Sequence, residues 1–229
     1  MTTVFFDIGN TLATGFDQSP RRVLGARLAL SEKETKRVGR YIMTSPCNNP
    51  SSLTTGLETI LPGHDPSQLR RTIEKVWEEQ IECVRGIEGA AAVVGTLKAE
   101  GFKVGVISNT WHPYYDGFLK NCREIAELID YNILSFRLGF KKPSQWVFHK
   151  AMAEAGEEAS SCWMIGDTYE LDMAPALAIG MRTVWVILHP EKELDLVGQV
   201  LRGEKGRPDF TVEKLKDIMP FLLEEVKFC

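Results

Sequence analysis

Four short apolar runs in this 229-residue sequence each deliver polar groups that can do chemistry. Val4-Phe5-Phe6 ends in Asp7, and VGVIS, at 104–108, ends in Ser108-Asn109-Thr110. The run at 131–135 is followed by GFKKP, which sets Lys141 and Lys142 before Pro143. CWMIG, at 162–166, ends in Asp167, and Asp172 follows five residues later in GDTYELD. Carboxylates at two strand ends, Asp7 and Asp167, suit a hard divalent cation, of which Mg2+ is the natural choice. Such a cation and one lysine together neutralise a phosphate dianion. The Ser108 hydroxyl and nearby backbone N–H groups would add directed hydrogen bonds. Between two positive charges a carboxylate can approach phosphorus, so the pattern points to Asp7 as a nucleophile that forms an aspartyl-phosphate.

For these groups to meet, the runs that carry them must be neighbouring strands. Short apolar runs at 4–6, 104–107, 131–135, 162–165 and 183–188 read as strands buried on both faces. Helical patterns at 89–99 and 144–155 alternate with them. The expected fold class is therefore α/β: a Rossmann-like parallel sheet covered by helices on both faces, with its working groups at the carboxyl ends of the strands. Residues 14 to about 85 contain no strand pattern. Ser19-Pro20 opens one helix, Ser31 and Glu34 have the spacing of a capping box, and Asp65-Pro66 opens a longer helix. In that last helix Leu69, Ile73, Val76, Trp77 and Val84 fall on one face. Asn48-Asn49-Pro50 reads as a loop. The expected organisation is a core of 1–13 plus 87–229 and an inserted α-helical cap at 14–86. Beyond 190 the pattern gives a helix near 194–201, an edge strand at 210–212 and a final amphipathic helix at 213–227.

The totals exclude several classes. Twenty-seven basic and 31 acidic side chains give a net charge of -4 with no basic block, which argues against nucleic acid as a partner. No apolar run approaches the ~20 residues that span a bilayer. The start, MTTVFFDIG, reads as a first strand rather than a leader. Cys47, Cys83, Cys122, Cys162 and Cys229 are scattered and never spaced C-x-x-C, so reduced thiols in the cytoplasm are expected rather than a disulfide framework or a zinc site.

The order D-x-x-x-T-L, S-N, K-P, G-D-x-x-x-x-D resembles the haloacid dehalogenase (HAD) superfamily. The resemblance runs from Val4 to about Val212 and implies a Mg2+-dependent phosphohydrolase with a C1-type helical cap. It implies Asp7 as nucleophile and metal ligand, the Gly9 carbonyl as a second ligand, and Ser108 and Asn109 on the phosphoryl oxygens. Lys142, directly before Pro143, would be the phosphate-binding lysine, Asp167 a metal ligand, and Asp172 a support for the metal or its water. The implied substrate is a small phosphorylated metabolite that fits beneath the cap. Nothing in the sequence fixes an oligomeric state.

One position departs from the family pattern. HAD phosphatases usually carry a second aspartate two residues after the nucleophile, as the acid that protonates the leaving oxygen; here that residue is Gly9. Positioned acid–base help is typically worth ~10²–10⁴-fold. The expectation is a slow enzyme or one with an easy leaving group, unless a residue such as His112 supplies the proton. The rival reading is a catalytically reduced binding or regulatory protein on the same fold. Lys33, Lys36 and Lys75 would matter only for phosphonate cleavage through a Schiff base, and Arg21 and Arg22 could meet a second anionic group on the substrate. Each of these also reads as an ordinary solvated helix face.

Overall fold

A computed structural model describes residues 2–188 and 190–226. The elements in chain order begin with β1 (Thr3–Phe6), β2 (Ala13–Thr14), α1 (Pro20–Arg27), α2 (Glu32–Thr44), α3 (Pro50–Ile60), α4 (Pro66–Cys83) and β3 (Arg85–Gly86). They continue with α5 (Ala90–Ala99), β4 (Lys103–Ser108), α6 (His112–Asn121), α7 (Arg123–Ala126), β5 (Tyr131–Leu134), α8 (Ser135–Leu138) and α9 (Gln145–Ala155). Then come β6 (Cys162–Gly166), a π-turn (Tyr169–Met173), α10 (Ala174–Ala178), β7 (Arg182–Val186), α11 (Pro190–Leu201), β8 (Phe210–Val212), a 3-10 turn (Leu215–Ile218) and α12 (Met219–Val226).

Six strands form one sheet in the order β5-β4-β1-β6-β7-β8, and every neighbouring pair is parallel. Parallel strands covered by helices on both faces need apolar residues on both sides, which is why these strands are near-continuous apolar runs. Successive side chains separate into two layers. Val4, Phe6, Val104, Val106, Trp163, Ile165, Val184 and Val186 pack with α5, α6, α7 and α12. Phe5, Ile107, Met164 and Trp185 pack with α9 and α10. The fold is the Rossmann-like α/β core expected, and Trp163 and Trp185 are core residues. No helix among the described residues is long and apolar enough to cross a membrane.

The four helices between β2 and β3 surround an apolar cluster of their own, built from Leu24, Val38, Ile42, Leu53, Leu57, Leu69, Ile73, Val76 and Trp77. Trp111, from the core, joins this cluster through an edge-on contact with Trp77 at 6.0 Å. Most local signals act as read: Pro20 and Pro66 sit in first turns, Asp65 accepts from Ser67 N, and Ser31 with Glu34 forms a complete capping box, whereas Ser19 stands at the N-cap of α1 with no side-chain capping bond.

Several details differ from the sequence reading. Two strands of two residues each, β2 and β3, pair antiparallel at the base of the helical insertion (Ala13 with Gly86, Thr14 with Arg85) and are too short to leave a periodic signal. Asn48-Asn49 lies in the loop between α2 and α3, as read, but the same residues also start α3, a helix the sequence reading did not find: Asn49 Oδ1 accepts from Ser52 N at 2.8 Å and Pro50 opens the first turn. Val84 lies beyond the end of α4 and packs into the core rather than the helical cluster. Ser135 begins α8 instead of ending β5, and α11 starts at Pro190. The last helix is preceded by a 3-10 turn, and residue 227, like Cys229, lies outside the described residues. Cys47, Cys83, Cys122 and Cys162 are free thiols.

Candidate active site

The polar groups of the four motifs come together at the carboxyl edge of the sheet. Asp7 follows the last residue of β1, and its N–H donates to Ile165 O at 2.9 Å, so the turn leaves the sheet in register with β6. The next residues fold back tightly. Thr11, Leu12 and Ala13 all donate to the Ile8 carbonyl, and Asn10 N donates to Ala13 O at 2.8 Å. Asp167 is the first residue past β6; Trp185 Nε1 donates to its carbonyl at 3.0 Å and Thr168 Oγ1 to its Oδ1 at 3.2 Å. Asp172, in the π-turn, is fully buried. It lies against Gly166, where an added Cβ would sit 2.4 Å from the Asp172 carboxyl carbon, so only glycine permits the approach.

Lys142 is 1% exposed and ties this acidic group together. Its Nζ lies 2.5 Å from Asp172 Oδ1 and 3.1 Å from Asp7 Oδ1. Burial draws the lysine pKa down, but Asp172 and Asp7 outweigh it and the net shift is upward, so Lys142 is a cation at neutral pH. The Asn109 side chain holds the lysine's backbone from both sides: Nδ2 donates to Lys142 O at 2.9 Å and Oδ1 accepts from Lys142 N at 2.7 Å.

Asp7, Asp167 and Asp172 each offer an oxygen within 4.8 Å of the other two. Burial, reinforced by Asp7 and Asp172, pushes Asp167 up to about 7. Burial also pushes Asp172 up, against the pull of Lys142. Three carboxylates with one ammonium among them leave an excess of negative charge, and oxygen donors so clustered fit a hard divalent cation. Ser108, 3% exposed, and Asn109 line a cavity of about 490 Å³ beside this cluster, together with Gly9 and Asn10. The opposite wall comes from the β2–α1 segment, Met43 of α2 and Gln80 of α4. Nothing lies within 4 Å of a Cβ built on Gly9, so the position is open to a side chain.

Of the sequence-derived residues, Asp7, Gly9, Ser108, Asn109, Lys142, Asp167 and Asp172 thus gather in one place. His112 does not line the cavity. Its ring stacks on Trp77 at 5.8 Å and meets Phe136 at 4.9 Å, while Nδ1 lies 3.0 Å from Asp116 Oδ2. Arg21, Arg22, Lys33, Lys36 and Lys75 are exposed and likewise absent from the lining. Sequence reasoning missed Asn10, whose side chain hydrogen-bonds Asp167 from a left-handed backbone (φ 55°). The available signal was an asparagine after glycine in a tight turn. It also missed Gln80, a fully buried polar residue on the otherwise apolar face of α4 that accepts from Trp111 Nε1 at 3.0 Å.

Known proteins bear on this site. Residues 28–186 match the family model described as haloacid dehalogenase-like hydrolase, a stretch that begins after the Asp7 turn. A glyceraldehyde 3-phosphate phosphatase from Methanothermobacter thermautotrophicus is 25% identical over 96% of this chain and 100% of its own length. One of the same name from Pyrococcus furiosus is 27% identical over 62% of this chain, and the match spans 56% of that relative. A HAD hydrolase from Bacillus subtilis solved with magnesium bound superposes with a TM-score of 0.60 at 18% identity, covering 96% of this chain and 98% of that one. The chain belongs to the haloacid dehalogenase-like hydrolase family.

Proposed function

We propose that this chain is a Mg2+-dependent phosphatase that hydrolyses a small phosphorylated metabolite through an aspartyl-phosphate on Asp7. The observation that carries the reading is the convergence of one buried lysine on Asp7 and Asp172 beside a cavity floored by Ser108 and Asn109. The named phosphatase relatives support the same reaction class. Asp7, Asp167, Asp172 and the Gly9 carbonyl would hold the metal. Bound there, Mg2+ supplies the positive charge that lets a phosphate dianion approach a carboxylate.

The protein groups divide the remaining work. Asp7 Oδ1 is engaged by Lys142 Nζ at 3.1 Å and by Ile8 N at 2.8 Å, which leaves Oδ2 to attack phosphorus. The new Oδ2–P bond forms as the bond from phosphorus to the leaving oxygen breaks. Lys142 offsets phosphate charge, and the Ser108 hydroxyl donates to a phosphoryl oxygen. Asn109 acts mainly by positioning, since its side chain is held by the lysine's backbone. Water then attacks the phosphoryl-enzyme and restores Asp7. Because Gly9 carries no acid, the departing oxygen takes its proton from solvent, which favours aryl or other stabilised leaving groups. The helical insertion is read as a C1-type cap at 14–86 that closes the cavity and admits small substrates. We place the enzyme in the cytoplasm, which its free thiols suit.

The test is p-nitrophenyl phosphate turnover with and without Mg2+, in wild type and Asp7→Asn. Turnover that needs the metal and falls by ~10³-fold or more in the variant is expected. The missing acid at Gly9 is the ground for a rival reading, a HAD-fold binding protein of reduced activity, which the phosphatase relatives do not favour. Equal inertness of both proteins with Mg2+ binding retained would establish that reading instead.

A further inference from the structure

The wall opposite the acidic cluster differs in kind from the floor. Among the described residues lining the cavity there is no lysine, arginine or histidine, and one carboxylate, Asp17, stands on the β2–α1 segment. The larger side chains of the wall have already committed their polar ends. Trp111 Nε1 donates to Gln80 Oε1 at 3.0 Å, Gln80 Nε2 donates to Cys83 Sγ at 3.2 Å, and Tyr114 Oη donates to Ala13 O at 2.9 Å. With Phe16 and Met43 they present mostly carbon to the interior, and the groups left to recognise a ligand are Asp17, Gln18, Ser19 and Thr14. Three of the insertion's cations are directed elsewhere: Arg27 pairs with Glu79 at 2.6 Å, Lys36 with Glu32 at 2.6 Å, and the Arg21 stem packs over Gly39. Lys142 does not line the cavity either; it is buried between Asp7 and Asp172.

We infer that the enzyme selects phosphomonoesters whose leaving group carries no second anion, namely an uncharged hydroxylated alcohol or an amino alcohol, with Asp17 as the side chain that reads it. The inference rests on the phosphatase reading for its chemistry, but the charge preference is a property of the cavity itself. A carboxylate or second phosphate on the substrate would have to stand against a wall with no cation and beside Asp17, an unpaired desolvation that recognition sites avoid. Hydroxyls or an ammonium would instead find oxygen acceptors along 14–19 and carbon surface behind them.

The experiment measures kcat/KM with Mg2+ on three alkyl phosphates of similar size: glycerol phosphate, phosphoethanolamine and phosphoglycolate. p-Nitrophenyl phosphate reports intrinsic activity. Binding of the same three esters to Asp7→Asn is measured alongside by calorimetry. The expected result is a preference of ~10-fold or more for the neutral and cationic esters over the anionic one, in turnover and in binding. Asp17→Asn should weaken phosphoethanolamine selectively, and Met43→Arg should raise phosphoglycolate. Phosphoglycolate equal to or better than the other two in binding overturns the inference, even if p-nitrophenyl phosphate is hydrolysed. The expected binding order with no turnover of any ester upholds the inference about the cavity and removes the phosphatase reading.

Discussion

Two carboxylates, one in the sheet core and one in the helical insertion, show how differently the same group is used. Asp167 is held among like charges, and burial with Asp7 and Asp172 pushes it up to about 7. Glu34 sits at the start of α2, half-buried, where hydrogen bonds from the Ser31 side chain and backbone, then from His64, hold it down at about 2. Ionising Asp167 works against the folded state; ionising Glu34 works for it. The core spends stability to gather charge where a ligand will meet it, whereas the insertion uses charge to fix its own helix.

The sharpest way to break this contrast is Asp167→Asn. Activity should fall by ~10²–10³-fold, because a group aimed at the reacting charge is gone. Yet without added Mg2+ the melting temperature at pH 8 should rise by a few degrees. The sign follows from the raised pKa. Between the unfolded value and about 7, the folded state holds a proton that the unfolded state has lost, so wild-type stability declines as pH climbs through that window. The variant escapes the penalty, and its advantage should fade as pH drops below about 7 and disappear near the unfolded value. Equal melting curves at both ends of the range would show that Asp167 is not electrostatically strained.

Gly9→Asp adds a carboxylate to the same site, where space for it exists. We expect turnover of alkyl phosphates to rise by ~10²-fold and that of aryl phosphates much less, since only the former need a proton for the leaving oxygen. A uniform rise would point to metal binding rather than proton supply. Asn109→Ala releases the backbone of Lys142 without touching its ammonium. A ~10–10²-fold loss in kcat/KM with unchanged circular dichroism is expected, as for a misplaced catalytic group. The smallest effect belongs to the insertion. Glu34→Gln should lower the melting temperature by a few degrees at pH 6 and leave kcat/KM unchanged. That difference should shrink as pH falls from about 4.5 toward 2, where wild-type Glu34 also takes up its proton.

The sheet was readable because each strand is buried on both faces and so writes an uninterrupted apolar run bounded by polar turns. Asp7, Ser108 and Asp167 were readable for the same reason: they are the first polar residues past such runs, whereas Lys142 was readable from its place directly before Pro143. α3 was lost to its own cap, since Asn-Pro is as much a turn signal as a helix start, and only the hydrogen bond from Ser52 N to Asn49 decides between them. The role of Asn109 was visible as position but not as partnership. Its two bonds go to a residue 33 positions away, which no local pattern can report. Gln80 and Trp111 were hidden in the same way, as a pair whose polarity makes sense only across two elements.

The Ala13 carbonyl receives both Asn10 N, at 2.8 Å, and Tyr114 Oη, at 2.9 Å, while the residue itself pairs with Gly86 in the short stem. Two residues, Thr11 and Leu12, therefore separate the stem from the asparagine that hydrogen-bonds Asp167. The base of the helical insertion and the loop that carries Asp7 are thus bonded to each other, so a substitution in either is expected to disturb both.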